Sequence, residues 1–147
     1  KAELEETIAY LLSFQRLAVL ATIMGERPYT NLIAFAATQD LKEIVFATSR
    51  ATRKFANLQA NPRVSLLVDS RRNADTDFST AAALTILGTA TELLEAERPR
   101  YQELFLRKHP YLEGFVSAPT CALLRVQVER YILVTQFQEV QEITPVP

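Results

Sequence analysis

The chain has 147 residues, a formal net charge of -1 and one cysteine, with 48% hydrophobic and 22% charged residues. That size suits one domain around one core, and the balanced charge offers no field to recruit nucleic acid or an anionic membrane. The lone Cys121 rules out an internal disulfide or a multi-cysteine metal site and fits a reducing, cytoplasmic setting.

Leu4, Ile8, Leu11 and Leu12 recur at helical spacing behind Glu3, Glu5 and Glu6, so residues 1–16 are read as an N-terminal helix with acids at its positive end. The apolar runs 17–21 and 33–37 fall far short of the roughly 20 residues that span a bilayer, which excludes a transmembrane helix at this stage. Instead, residues 17–24 and 29–38 predict two antiparallel strands joined through Gly25-Glu26-Arg27-Pro28. A polar break at 39–43 precedes a third strand at 44–48. In the fourth, Val64, Leu66 and Val68 alternate with Ser65, Leu67 and Asp69. Between these two strands Ala51, Phe55 and Leu58 keep helical spacing until Asn61-Pro62 stops the pattern.

Residues 70–77 predict a polar loop, and 81–93 a strand in which Gly88 marks a bulge or a close approach. Tyr101, Leu104 and Phe105 define a helix within 95–108 that tolerates Pro99 only in its first turn. Two closing strands are expected at 120–130 and 131–137, and a loose tail at 140–147, where Pro145 and Pro147 follow. Six strands without regular βαβ alternation predict a single domain over 1–147, mainly β (α+β), as an antiparallel barrel with a few appended helices.

Chemistry concentrates in residues 44–68, which hold Arg50, Arg53, Lys54 and Arg63 but no acidic residue. Arg50, Arg53 and Lys54 are spaced to share one helical face in the first turn after Thr48 and Ser49. Cations there oppose the helix dipole and repel one another, and an anion relieves both. Free first-turn amides, the hydroxyls of Thr48, Ser49 and Thr52, and the cationic side chains together describe a phosphate cradle. The plainer alternative is a solvated helix face with Ser49 as its N-cap.

The segment FATSRATRKFANLQANPRVSLLV resembles the strand, helix and strand of the FMN-binding split barrel of the pyridoxamine 5'-phosphate oxidase family. The resemblance implies a six-stranded split β-barrel in which Thr52, Arg53 and Lys54 hold the FMN phosphate. It further implies that Thr48 and Ser49 flank the flavin, and that the backbone of Asn31, Leu32 and Ile33 runs along the isoalloxazine edge. A homodimer with flavin at the interface and an FMN-dependent oxidoreductase acting on an unidentified small molecule follow from the same likeness. The alternatives are a non-catalytic binder of flavin, deazaflavin or haem, and a cofactor-free interaction domain.

The chain also departs from that family. Ala82 and Ala83 stand where Arg and Gln often reach flavin or substrate, and Phe137-Gln138-Glu139-Val140 lacks the Arg and His of the vitamin B6 oxidase. That enzyme's substrate is therefore not expected, and Gln138 in place of a glycine after Phe137 predicts a different final strand.

Other candidates carry weaker signals. His109 could ligate haem but more often such a residue caps a helix or meets solvent. Cys121 reads as a buried structural thiol. Glu92, Glu95 and Glu97 suit a helix start, Arg71, Arg72, Asp75 and Asp77 a charged loop, and Tyr101, Phe105, Tyr111 and Phe115 core packing. With glycine only at Gly25, Gly88 and Gly114, no glycine-rich nucleotide loop is possible.

Overall fold

The computed structural model describes residues 1–136 and 138–146. Helix α1 (Ala2–Phe14) buries Ile8, Leu11 and Leu12, the residues whose spacing predicted it. Strand β1 (Leu17–Met24) runs into β2 (Arg27–Ala37) through a turn of two residues rather than four. Gly25 adopts φ 68°, the left-handed conformation a tight hairpin requires, so Arg27 and Pro28 already pair with Met24 and Ile23.

The chain continues through β3 (Glu43–Ser49), α2 (Arg53–Ala60), β4 (Arg63–Asp69), a short α3 (Asp77–Thr80) and β5 (Ala83–Glu92). Then come α4 (Arg98–Lys108), a 3-10 turn at Pro110–Leu112, α5 (Glu113–Ser117), β6 (Cys121–Thr135) and β7 (Glu139–Ile143). Pro99 lies in the first turn of α4, the one place its missing N–H costs nothing.

All strand pairs are antiparallel, in the order β3-β2-β1-β4-β5-β6-β7, and β3 also pairs with β6. That last pairing closes a six-stranded barrel with β7 attached outside the ring. Alternate residues point inward, among them Leu20 of β1, Phe35 of β2, Phe46 of β3, Leu66 of β4, Ile86 of β5 and Leu124 of β6, all buried. A second apolar cluster outside the barrel seats Tyr101 and Phe105 of α4 and Val116 of α5 against Ala36, Val45 and Leu123.

Two sequence expectations are corrected. The two closing strands are one strand, β6, because no turn residue separates Arg130 from Tyr131; the chain bends at a bulge instead. There Gly88 meets the shift in register, and a Cβ on it would lie 2.5 Å from Gln127 O. The bend lets β6 serve three partners: β3 with its first half, β7 with its second, and β5 with both. Nor is the stretch from 140 loose, since Glu139–Ile143 pairs with Tyr131–Thr135 and buries Ile143. The expected strand end at Phe137 and the final Pro147 lie outside the described residues.

Candidate functional site

The barrel is split on one side. Pairing of β2 with β3 covers only Phe35↔Phe46, Ala36↔Val45 and Ala37↔Ile44, so beyond Phe35 the two strands separate. Asn31, Leu32 and Ile33 are paired to β1 on one side and, among the described residues, have no partner strand on the other. Their alternate backbone N–H and C=O groups therefore face the opening. Ile33 buries its side chain in the core and Leu32 is exposed, so only the backbone of this stretch offers a regular set of polar groups. Asn31 Oδ1 adds a buried acceptor that no described residue satisfies.

Across the opening, β3 ends at Ser49 and a tight turn leads into α2. The N-cap of α2 is Thr52, not Ser49. Thr52 Oγ1 accepts from Phe55 N–H at 3.2 Å and donates to Ser49 O at 2.9 Å. Thr48 is buried and its hydroxyl lies 3.0 Å from that of Thr52, so it supports the turn from beneath. Ser49 Oγ accepts from Ala51 N–H, which leaves its own hydrogen free to donate.

Residues Arg53 and Lys54 open α2, and their backbone N–H groups have no acceptor among the described residues. Neither side chain has a carboxylate within ion-pair distance among the described residues. Burial with no compensating anion holds the Lys54 ammonium below its usual pKa range. Among the described residues, two cations without a carboxylate partner and two N–H groups without an acceptor thus meet at the positive end of a helix, an arrangement that favours an anion. No acid is needed or present in the first turn.

Arg50 does not belong to this cradle. It precedes the helix, ion-pairs with Glu92 at the end of β5, and donates to Pro119 O at 3.1 Å and Cys121 O at 3.2 Å. Its spacing to Arg53 placed it on the helix face, but helix α2 starts three residues later than that reading required. Arg50 therefore ties the turn to the start of β6. The signal for this lay in Glu92, 42 positions away, where no local pattern could show it.

The remaining candidates are settled by their partners. His109 ends α4 and is buried, not solvated; its Nε2–H donates to Phe35 O at 2.8 Å. Cys121 is buried and desolvation raises its thiol pKa, which makes it inert. Glu97 accepts from Leu94 N–H and pairs with Arg125, and Asp77 accepts from the N–H groups of Arg72, Asn73 and Ala74. Tyr101 and Phe105 pack in the outer core as expected, whereas Tyr111 and Phe115 are exposed.

Glu43 gave no sequence signal. Its carboxylate accepts from Tyr101 OH at 2.7 Å and pairs with Arg125, which fastens α4 to the barrel. Among the described residues no group of acids, histidines and cysteines could hold a metal ion, and no helix is long and apolar enough to cross a membrane.

The fold matches a heme binding protein from Mycobacterium smegmatis with TM-score 0.81 at 18% identity, over 96% of this chain but only 56% of that one. It also matches a FAD-binding protein from Mesorhizobium loti with TM-score 0.71 at 19% identity, over 87% of this chain and 90% of that one. Identities this low speak for the fold alone. A Schizosaccharomyces pombe protein named as a pyridoxamine 5'-phosphate oxidase homolog is 29% identical over 133 residues, 73% of this chain and 69% of its own. The family model described as pyridoxamine 5'-phosphate oxidase matches residues 4–140. With nearly its whole length matched and the split barrel closed, the chain belongs to the pyridoxamine 5'-phosphate oxidase family.

Proposed function

We propose that this chain is an FMN-dependent oxidoreductase acting on a small molecule, with the FMN phosphate held at the start of α2. The carrying observation is the pair of uncompensated cations, Arg53 and Lys54, beside two backbone donors without acceptors. Arg53 and Lys54 would neutralise the phosphate, and Ser49 would donate to it. Thr48 and Thr52 would hold the turn in shape, and the backbone of Asn31, Leu32 and Ile33 would line the ring edge. When bound, the flavin supplies hydride and electron transfer, so no catalytic side chain is demanded of the protein.

A flavin reading is supported over a haem reading by His109. It is the one histidine in the chain, it is buried, and its Nε2 is taken by Phe35 O. A deazaflavin would bring a phosphate to the same cradle.

The flavin site would be completed by a second copy. Leu17 and Leu32 are exposed and, with Phe14, Val19 and Leu67, line a hollow of about 500 Å³ on the outer face of β1, β2 and β4. This face includes Leu32, next to the split, so a twofold dimer packed here would bring the partner chain to the opening.

The test is titration of the purified protein with FMN, following the visible spectrum and quenching of flavin fluorescence. Saturation at one FMN per chain is expected; no saturable binding would overturn the reading. Steady oxidation of a nicotinamide reductant by the loaded protein then separates an enzyme from a non-catalytic carrier.

A further inference from the structure

Away from the split, α1, the end of β2 and α4 enclose a groove of about 590 Å³ that shares no residue with the phosphate cradle. Its walls are mainly apolar, built from Ala9, Tyr10 and Leu12 of α1, Ala36 and Ala37 of β2, and Leu104 of α4. At one end stands Lys108. Its Nζ donates to Leu12 O at 2.8 Å and sits 3.8 Å from the centroid of the Phe35 ring. Three N–H donors with one strong acceptor leave capacity directed elsewhere.

No carboxylate pairs with Lys108 among the described residues. Arg107 beside it pairs with Glu103, and Arg16 adds positive potential rather than relief. Burial, with Arg16 behind it, pulls the Lys108 pKa down to about 8, so the ammonium is still charged at neutral pH. The acidic residue on the groove wall is Glu6, six residues before Leu12 on α1 and therefore about 9 Å away along the helix axis. The groove is thus cationic at one end, apolar along its length and acidic only at the far end.

We propose that this groove binds a medium-chain carboxylate, with the headgroup on the Lys108 ammonium and the alkyl chain lying along α1 over Ala9 and Tyr10. A cation desolvated without a counter-ion favours an anion that brings its own apolar body, because both the charge and the walls then lose water in one event. A single ammonium suits a monoanion, and the roughly 9 Å of helix axis between Leu12, which Lys108 touches, and Glu6 covers most of a medium-length alkyl chain.

Isothermal titration of the full chain with decanoate, below its micelle concentration at pH 7, tests this against decanol and decyltrimethylammonium. Decanoate should saturate at one per chain, with decanol at least ten-fold weaker and the cationic analogue not bound. Lys108→Gln should weaken decanoate at least ten-fold. Ala9→Trp, at an exposed helix position on the groove wall, should abolish binding while leaving the melting temperature unchanged. Should Lys108→Gln fail to fold, the Ala9→Trp variant and the decanol comparison still decide the matter. Equal binding of decanoate and decanol, no saturable binding, or binding indifferent to Ala9→Trp would overturn the proposal. So would self-association that Ala9→Trp abolishes, since the groove would then belong to a second copy.

Discussion

At the residue scale, charge without a partner is the recurring clue. Arg53 and Lys54 have no carboxylate partner among the described residues, and a charge-assisted hydrogen bond to an anion is worth about 1.5–3 kcal/mol. Arg53→Ala combined with Lys54→Ala is therefore expected to weaken FMN binding by two orders of magnitude or more, read by fluorescence titration. Unchanged affinity would remove the cradle from consideration. His109 shows the opposite solution, a titratable group kept neutral by burial, its pKa held below the usual histidine value. Below about pH 6.5 the unfolded chain takes up a proton that folded His109 refuses, so the unfolded state binds more protons and stability falls as pH drops. Urea unfolding at pH 7.5 and 5.5 should show this loss. His109→Gln, which keeps a donor for Phe35 O but cannot titrate, should show a smaller one; an identical slope in both proteins would exclude His109 as a source.

At the scale of elements, the bulge at Gly88 shapes the barrel. An added methyl would lie 2.5 Å from Gln127 O and 2.7 Å from Val126 Cγ1, in a strand pair that has no room to part. Gly88→Ala is expected to cost about 1–3 kcal/mol by overpacking, measured as a lower denaturation midpoint with an unchanged slope. That glycine was legible in the sequence because it interrupts a run of small and β-branched residues, and so was the inward row of β4, where Val64, Leu66 and Val68 alternate because one face is buried. Two elements were not legible, for physical reasons. β6 looked like two strands because its alternation breaks at the bulge, where Glu129 and Arg130 are both exposed. β7 escaped notice because Glu139–Gln141 and Glu142 are exposed on an outer strand and only Ile143 is buried, leaving no apolar alternation to read. Arg50 was assigned to the cradle since spacing alone cannot tell a helix residue from one just before the cap; the hydroxyl of Thr52 decides where α2 begins.

At the scale of the whole molecule, the split leaves a strand edge and an apolar outer face uncovered side by side. β2 presents an unpaired edge at the split, and the neighbouring outer face exposes Leu17 and Leu32 to 54% and 63%, a placement that costs free energy in an isolated chain. A second copy laid on that face by a twofold axis would cover both leucines and wall the opening, so assembly and cofactor binding are expected to be coupled. Leu32→Asp tests the coupling, because the side chain is exposed on the outer face and lies outside the barrel core, so its loss should leave the fold intact. The variant should sediment as a monomer at concentrations where the parent is a dimer. Its FMN affinity should fall although Arg53, Lys54 and Ser49 are untouched, and raising the protein concentration should restore both together. A monomeric variant that binds FMN as tightly as the parent would mean that one chain builds the site alone, and the exposed face would then need a different partner.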